Sequence, residues 1–254
     1  MRLNKALAMA GVCSRRKADE LVFAGNVAVN GITASSPGIQ VDPQNDIVTV
    51  FGKPVAFLPQ EGQATEHAYY MLNKPVEVVT TASDPQGRRT VLEILPEVVR
   101  KRRVFPVGRL DFFSEGLLLL TSDGDLTYRM THPRYHLPKV YEVLVRGEVT
   151  RDKLEAMRRG MTLAEGEKLA PVEVKVLDKQ MLGKTLLELT LIQGINRQIR
   201  RMCRDLGLTV LKLRRTCEGP LSLGALPTGK LRTLTPAEVK VLKKAVAIGI
   251  PGPE

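Results

Sequence analysis

The chain has 254 residues, 43% of them hydrophobic, and carries 38 lysines and arginines against 27 acidic residues, a net charge of +11. That length supports two ordinary domains or one large one, and the apolar share excludes wholesale disorder. The basic excess points to a polyanionic partner, because each cation set on a phosphate releases a condensed counterion. Three cysteines, Cys13, Cys203 and Cys217, leave an odd count with no close pair, which fits reduced thiols rather than a disulfide framework.

At the N-terminus, residues 6–13 form a short apolar run behind Arg2 and Lys5. Arg15, Arg16 and Lys17 follow at once, the wrong flank for signal cleavage, and no stretch reaches the length of a membrane span. The expectation is a cytoplasmic protein without a membrane partner. Leu3, Ala6, Leu7 and Ala10 share one helical face, predicting a helix over 3–10 closed by Gly11. Ser14 reads as the N-cap of a second helix, with Ala18, Leu21 and Val22 facing inward and Gly25 ending it. The alternating valines of NVAVNGITA flank an Asn30-Gly31 turn suited to a hairpin, and DIVTVFG supplies another strand. Residues 1–57 thus form a small α+β module. Arg15, Arg16 and Lys17 open its second helix, where free N–H groups and the positive dipole end favour phosphate; a solvated charged turn is the competing reading. The RLNK opening, the GVCSRR turn and the closing VAVNG resemble the small RNA-binding domain first known from a ribosomal small-subunit protein. That resemblance implies RNA contacts through Arg2, Lys5, Arg15, Arg16 and Lys17.

Residues 58–68 are polar and unpatterned and read as a linker. From Tyr69 the β-like runs YYMLNKP, KVYEVLVRG, APVEVKVLD and TLLELTLIQG alternate with helical stretches. They predict an α+β domain over 69–245 with a large mixed or antiparallel sheet, then a frayed tail, 246–254. His132 and His136 have helical metal-ligand spacing, but Pro133 between them opposes a regular helix, so no metal is expected.

In VGRLDFFSEGLLLLTSDGDL, residues 107–126, a strand arrives at Val107, a turn holds Arg109 and Asp111, and an apolar run leaves it. An aspartate at such a loop mouth is placed for catalysis or for capping the turn. The seventeen positions G-R-L-D-x-x-S-E-G-L-L-L-L-T-x-D-G closely resemble the signature of the ribosomal-RNA pseudouridine synthases related to RsuA. The resemblance implies that Asp111 is the essential catalytic carboxylate and sets Arg109 beside the substrate. In KVYEVLVRG, alternation sends Tyr141, Val143 and Val145 to one face. A tyrosine there commonly fills a core, whereas the same resemblance implies stacking of Tyr141 on the target base.

In GINRQIRRMCRDLG, Ile199, Met202, Cys203 and Leu206 make a buried stripe, with Asn196 expected to cap the helix and Gly207 to end it. Arg197, Arg200, Arg201 and Arg204 fall roughly opposite, a positive face expected to bind RNA, extended by Lys212, Arg214 and Arg215. RQIRRM matches the family's third motif, implying that Arg200 pairs with Asp111, with Arg197 and Arg201 as the alternatives in register. Leu213 is the expected apolar wall. DPQGRRTVLEILP resembles a basic loop of the RluB branch, and NRQIRRMC that of the RluF branch. Both imply a large-subunit ribosomal RNA as substrate, the small subunit being the alternative. The implied isomerisation requires no cofactor. Two rivals stand: a glycosidase-like hydrolase pairing Asp111 with Glu115, and a non-catalytic RNA-binding or ribosome-assembly protein. A monomer is expected.

Overall fold

The computed structural model describes residues 1–57, 67–82, 84–135, 137–180 and 183–246. Most of the expected linker, His136 and the tail beyond Val246 lie outside them. Two compact units divide the chain, Met1–Glu66 and His67–Glu254.

In the first unit, helix α1 (Leu3–Met9) and helix α2 (Arg15–Phe23) cover a four-stranded antiparallel sheet. Its strands are β1 (Val27–Val29), β2 (Ile32–Thr33), β3 (Val48–Val50) and β4 (Lys53–Pro54), in the order β2-β1-β3-β4. Ser14 caps α2 as expected, its hydroxyl accepting from the Lys17 amide at 3.2 Å. Asn30 and Gly31 both have positive φ, 50° and 82°, the conformation a two-residue hairpin turn needs to follow the strand twist. Leu3, Ala6, Leu7, Ala18, Val22, Val27 and Val48 form the core.

The second unit is built on a nine-stranded mixed sheet. Its strands are β5 (Tyr69–Lys74), β6 (Phe105–Val107), β7 (Glu115–Thr121), β8 (Lys139–Arg146), β9 (Glu173–Gln180), β10 (Lys184–Leu191), β11 (Thr209–Glu218), β12 (Leu221–Ser222) and β13 (Leu231–Thr233). Helices α3 (Glu97–Arg100), α4 (Gly124–Thr131), α5 (Arg151–Arg159), α6 (Gln198–Asp205) and α7 (Pro236–Ala245) complete it. The main order is β13-β5-β7-β11-β8-β10-β9, with β6 beside β7 and β12 beside β11. Among the described residues no helix is long and apolar enough to cross a membrane.

The run of four leucines in β7 is explained by burial on both faces. Leu117 and Leu119 enter one cluster with Met71, Leu126 and Leu242, while Leu118 and Leu120 enter another with Leu72, Val91 and Leu110. All pairings are antiparallel except that of β7 with β11, which consists of two residue pairs, Arg214 with Glu115 and Arg215 with Gly116. Gly116 has φ +107°, and a Cβ there would lie 2.2 Å from the Arg215 carbonyl oxygen, so only glycine admits β11 at this point. This two-pair seam joins the half of the sheet containing β5, β6, β7 and β13 to the half containing β8 through β12.

Candidate active site

Asp111 lies in the loop between β6 and β7, and the backbone of that loop is held from several sides. Thr80 donates to the Leu110 carbonyl at 2.8 Å and accepts from the Leu110 amide at 3.2 Å. The Glu77 amide donates to the Phe112 carbonyl at 2.7 Å, and Arg200 donates to the Phe113 carbonyl at 2.7 Å. Lys74, at the end of β5 and 0% exposed, donates through Nζ to the carbonyls of Pro75 (2.8 Å), Ser114 (2.9 Å) and, more weakly, Asp111 (3.3 Å). Five consecutive carbonyls, Leu110 to Ser114, therefore all accept hydrogen bonds. Such a loop presents its side chains in a fixed direction, which is what preorganisation of a reacting group requires. Burial pushes the Lys74 ammonium down to about 8, against the opposing pull of Asp111 and Glu115.

The Asp111 carboxylate is partly exposed, with the Nε of Arg200 3.9 Å from its Oδ2. That Nε is buried and has no hydrogen-bond partner, while the same guanidinium anchors on the Phe113 carbonyl and lies 3.4 Å from Ser114 Oγ. Of the three arginines open to the pairing in sequence, Arg200 is the one ion-paired with Asp111 among the described residues. Burial lowers its pKa, and Asp111 partly offsets that shift. Arg197 is exposed, and so is Arg109, which has no ion pair among the described residues. Tyr141, partly buried, feels the charge of Asp111 and lies opposite Arg215 across the β8–β11 ladder. Leu213, opposite Val143 on the same ladder, is buried.

Several expectations need correction. Helix α6 begins at Gln198, and its N-cap position is Arg197 in the left-handed region (φ 51°), without a side-chain cap; Asn196 does not cap it. The arginine face is not uncompensated. Arg201 pairs with Glu165 (3.0 Å) and Glu167, and Arg204 with Glu165 (2.8 Å) and Asp205 (2.7 Å). Nor does Arg215 extend a surface patch. It is buried against Glu218, while Lys212 binds Glu115 at 2.9 Å and Arg214 lies 3.6 Å from Glu142. The Lys212 contact also engages the second carboxylate that a paired-carboxylate hydrolase would need.

In the first unit Arg2, Lys5, Arg15, Arg16 and Lys17 are all exposed. Lys17 pairs with Glu20 at 2.8 Å and Arg15 reaches Asn4 at 3.5 Å, leaving Arg2, Lys5 and Arg16 without an ion pair among the described residues. In the RluB-like loop, Arg88 is bound to Asp84 through two nitrogens (2.8 and 3.0 Å) and lies 5.9 Å over the Phe112 ring. Lys74 and the Arg215–Glu218 pair are the features sequence reading missed. The one signal for Lys74 was a lysine closing the mainly apolar strand run YYMLNK.

The S4 domain profile matches residues 1–48 and the RNA pseudouridylate synthase profile residues 68–205. An "uncharacterized RNA pseudouridine synthase" of Aquifex aeolicus (strain VF5) is 43% identical over 250 residues, 98% of this chain and 96% of that one. The ribosomal large subunit pseudouridine synthase B of Bacillus subtilis (strain 168) is 40% identical, covering 95% of each chain. The dual-specificity RNA pseudouridine synthase RluF of Escherichia coli (strain K12) is 38% identical over 97% of this chain and 79% of its own. A crystal structure of a pseudouridylate synthase superposes with a TM-score of 0.68 at 28% identity, covering 95% of this chain and 99% of that one. With an S4 domain ahead of its catalytic domain, the chain belongs to the RNA pseudouridylate synthase family, whose members are isomerases.

Proposed function

We propose that this enzyme converts one uridine of large-subunit ribosomal RNA to pseudouridine, with Asp111 as the catalytic carboxylate. The observation that carries the site assignment is a carboxylate on a loop fixed through five carbonyls, facing the otherwise unpartnered Nε of Arg200. The large-subunit target is supported by 40% identity to the Bacillus subtilis enzyme of that name.

In this reading residues 1–57 form the RNA-binding module, with Arg2, Lys5, Arg15, Arg16 and Lys17 toward the RNA backbone. Such contacts position the RNA without reading its sequence. Residues 69–245 form the catalytic domain. Arg197 and Arg109 add positive charge at its cleft, whereas Arg201 and Arg204 are held by acids and are not carried into the interface. A uridine flipped out of the stack enters beside Asp111, and Tyr141 replaces part of the lost stacking, with Leu213 as the apolar wall. Breaking the C1′–N1 bond gives the sugar oxocarbenium character and leaves negative charge on the base. A carboxylate near C1′ stabilises the first, as nucleophile or as base, with the Arg200 cation beside it. The uracil turns, C5 bonds to C1′, and the C5 proton leaves while N1 gains one. Atoms balance within the nucleotide, so the reaction itself calls for no oxidant, reductant or phosphoryl donor. The protein acts as a cytoplasmic monomer in this reading.

The test is pseudouridine mapping of both ribosomal RNAs from cells lacking the gene, rescued with wild type or Asp111→Asn. One large-subunit uridine should lose its modification and regain it with wild type alone. Persistence of every pseudouridine, together with inactivity of the purified protein on every rRNA fragment, would sink the assignment.

A further inference from the structure

On one face of the β8–β11 ladder the register sets Lys139 opposite Glu218, Tyr141 opposite Arg215 and Val143 opposite Leu213. Arg215 and Glu218 are each 2% exposed, with Nη2 and Oε2 3.2 Å apart. Neither of those two atoms completes a hydrogen bond, so the contact is ionic rather than directional. The third nitrogen of the guanidinium has a directed role. Arg215 Nε donates to the Leu117 carbonyl of β7 at 2.8 Å, 98 residues back in the chain and across the two-pair seam. Tyr141 stands directly opposite Arg215 in the ladder, and the Arg215 cation acts electrostatically on its phenol. Apolar side chains of similar volume fill such a space at least as favourably as a buried ion pair. A charged pair here is therefore explained by what it holds.

We infer that Arg215 is a positioning residue for the isomerisation: braced by Glu218 and tied to the strand that leaves the Asp111 loop, it packs across the ladder from Tyr141 and fixes the plane of that ring against the target base. The inference rests on the proposed role of Tyr141 as the stacking face. The phenol feels the charges of Arg215 and Glu218 from β11 and of Asp111 from the β6–β7 loop, while Lys139, from β8 itself, feels those of Glu218 and Arg215. Burial raises the Tyr141 hydroxyl, and the Arg215 cation opposes that rise. Without the cation the phenol titrates higher, and its ring is free to tilt. A base-stacking surface displaced by an ångström is enough to cost about 10²-fold in rate.

The experiment compares full-length wild type with Arg215→Met/Glu218→Leu, Arg215→Lys, Glu218→Gln and Tyr141→Phe. Steady-state kinetics use the rRNA fragment that mapping identifies, and tyrosine 13Cζ NMR is followed against pH, with Tyr141→Phe identifying the resonance. The apolar double variant should fold, bind the RNA within about twofold of wild type and lose on the order of 10- to 100-fold in kcat with KM little changed. Its Tyr141 signal should titrate higher, and Arg215→Lys should recover part of both effects. A double variant that turns over at the wild-type rate, or a Tyr141 resonance indifferent to Arg215, overturns the inference. Should the double variant fail to fold, Arg215→Lys and Glu218→Gln carry the same two readouts. Inactivity of wild type itself on every rRNA fragment would instead count against the synthase assignment, and the NMR titration judges the Arg215 contact independently of it.

Discussion

Helix α6 has two flanks that look alike in sequence and differ in structure. Arg200, on one flank, is partly buried, anchored on the Phe113 carbonyl and aimed at Asp111. Arg201, on the other, and Arg204, between the two, are neutralised by Glu165, Glu167 and Asp205. A cation near a partly desolvated carboxylate with an unpartnered donor can act on a reacting charge. One already chelated by two exposed acids holds a loop in place. Arginines one residue apart therefore have no common function, and helical spacing cannot tell them apart.

The contrast breaks most directly at the two arginines themselves. Arg200→Gln should lower kcat by about 10²-fold with RNA affinity nearly unchanged, and Arg201→Gln should leave kcat within about twofold. Equal losses in single-turnover assays would erase the distinction. The inner flank depends on its fixed loop, so Lys74→Met, which leaves carbonyls of that loop underpaired, should cost about 1–3 kcal/mol in urea unfolding and reduce turnover. A variant as stable and active as wild type would show that the loop holds without it. Arg16, exposed and without an acid partner, represents a third environment. Arg16→Gln should weaken RNA binding modestly and lower the salt slope of log Kd by about one, while leaving kcat unaltered. The smallest effect concerns the outer flank. Arg201 and Arg204 hold the Glu165 carboxyl down to about 2 from an ordinary 4.5. Because the folded value is depressed, the clamp stabilises fully above about pH 4.5 and is lost as pH falls toward 2. Glu165→Gln should therefore flatten acid unfolding in that window, its small difference from wild type standing in full at neutral pH and vanishing as pH falls toward 2.

Much of this was legible in the sequence. The capped helix at Ser14, the Asn30-Gly31 hairpin and the leucine run of β7 are local or periodic features, and periodicity survives translation into burial. The aspartate loop, Tyr141 and Arg200 were found through motif resemblance, which carries geometry that spacing alone does not. What escaped was set by distant chain. Glu165 and Glu167, which neutralise Arg201, lie more than thirty residues upstream of it. Arg215 looked like the third cation of a surface run because alternation gives the face of a strand but not whether that face is covered. Asn196 has the chemistry of a cap, yet the backbone turns one residue later, at Arg197 in the left-handed region.

The two-pair seam between β7 and β11 has a mechanical consequence. Each half of the sheet is stitched by longer antiparallel ladders, whereas the backbones meet between them in two residue pairs, supplemented by the struts Arg200 to Phe113, Lys212 to Glu115 and Arg215 to Leu117 and by apolar clusters shared between the halves. Asp111 belongs to one half, and Tyr141, Arg200 and Leu213 belong to the other. The opening between the carboxylate and the ring thus lies along this line of sparse backbone pairing, and amide exchange at Arg214 and Arg215 should outpace that in the flanking ladders.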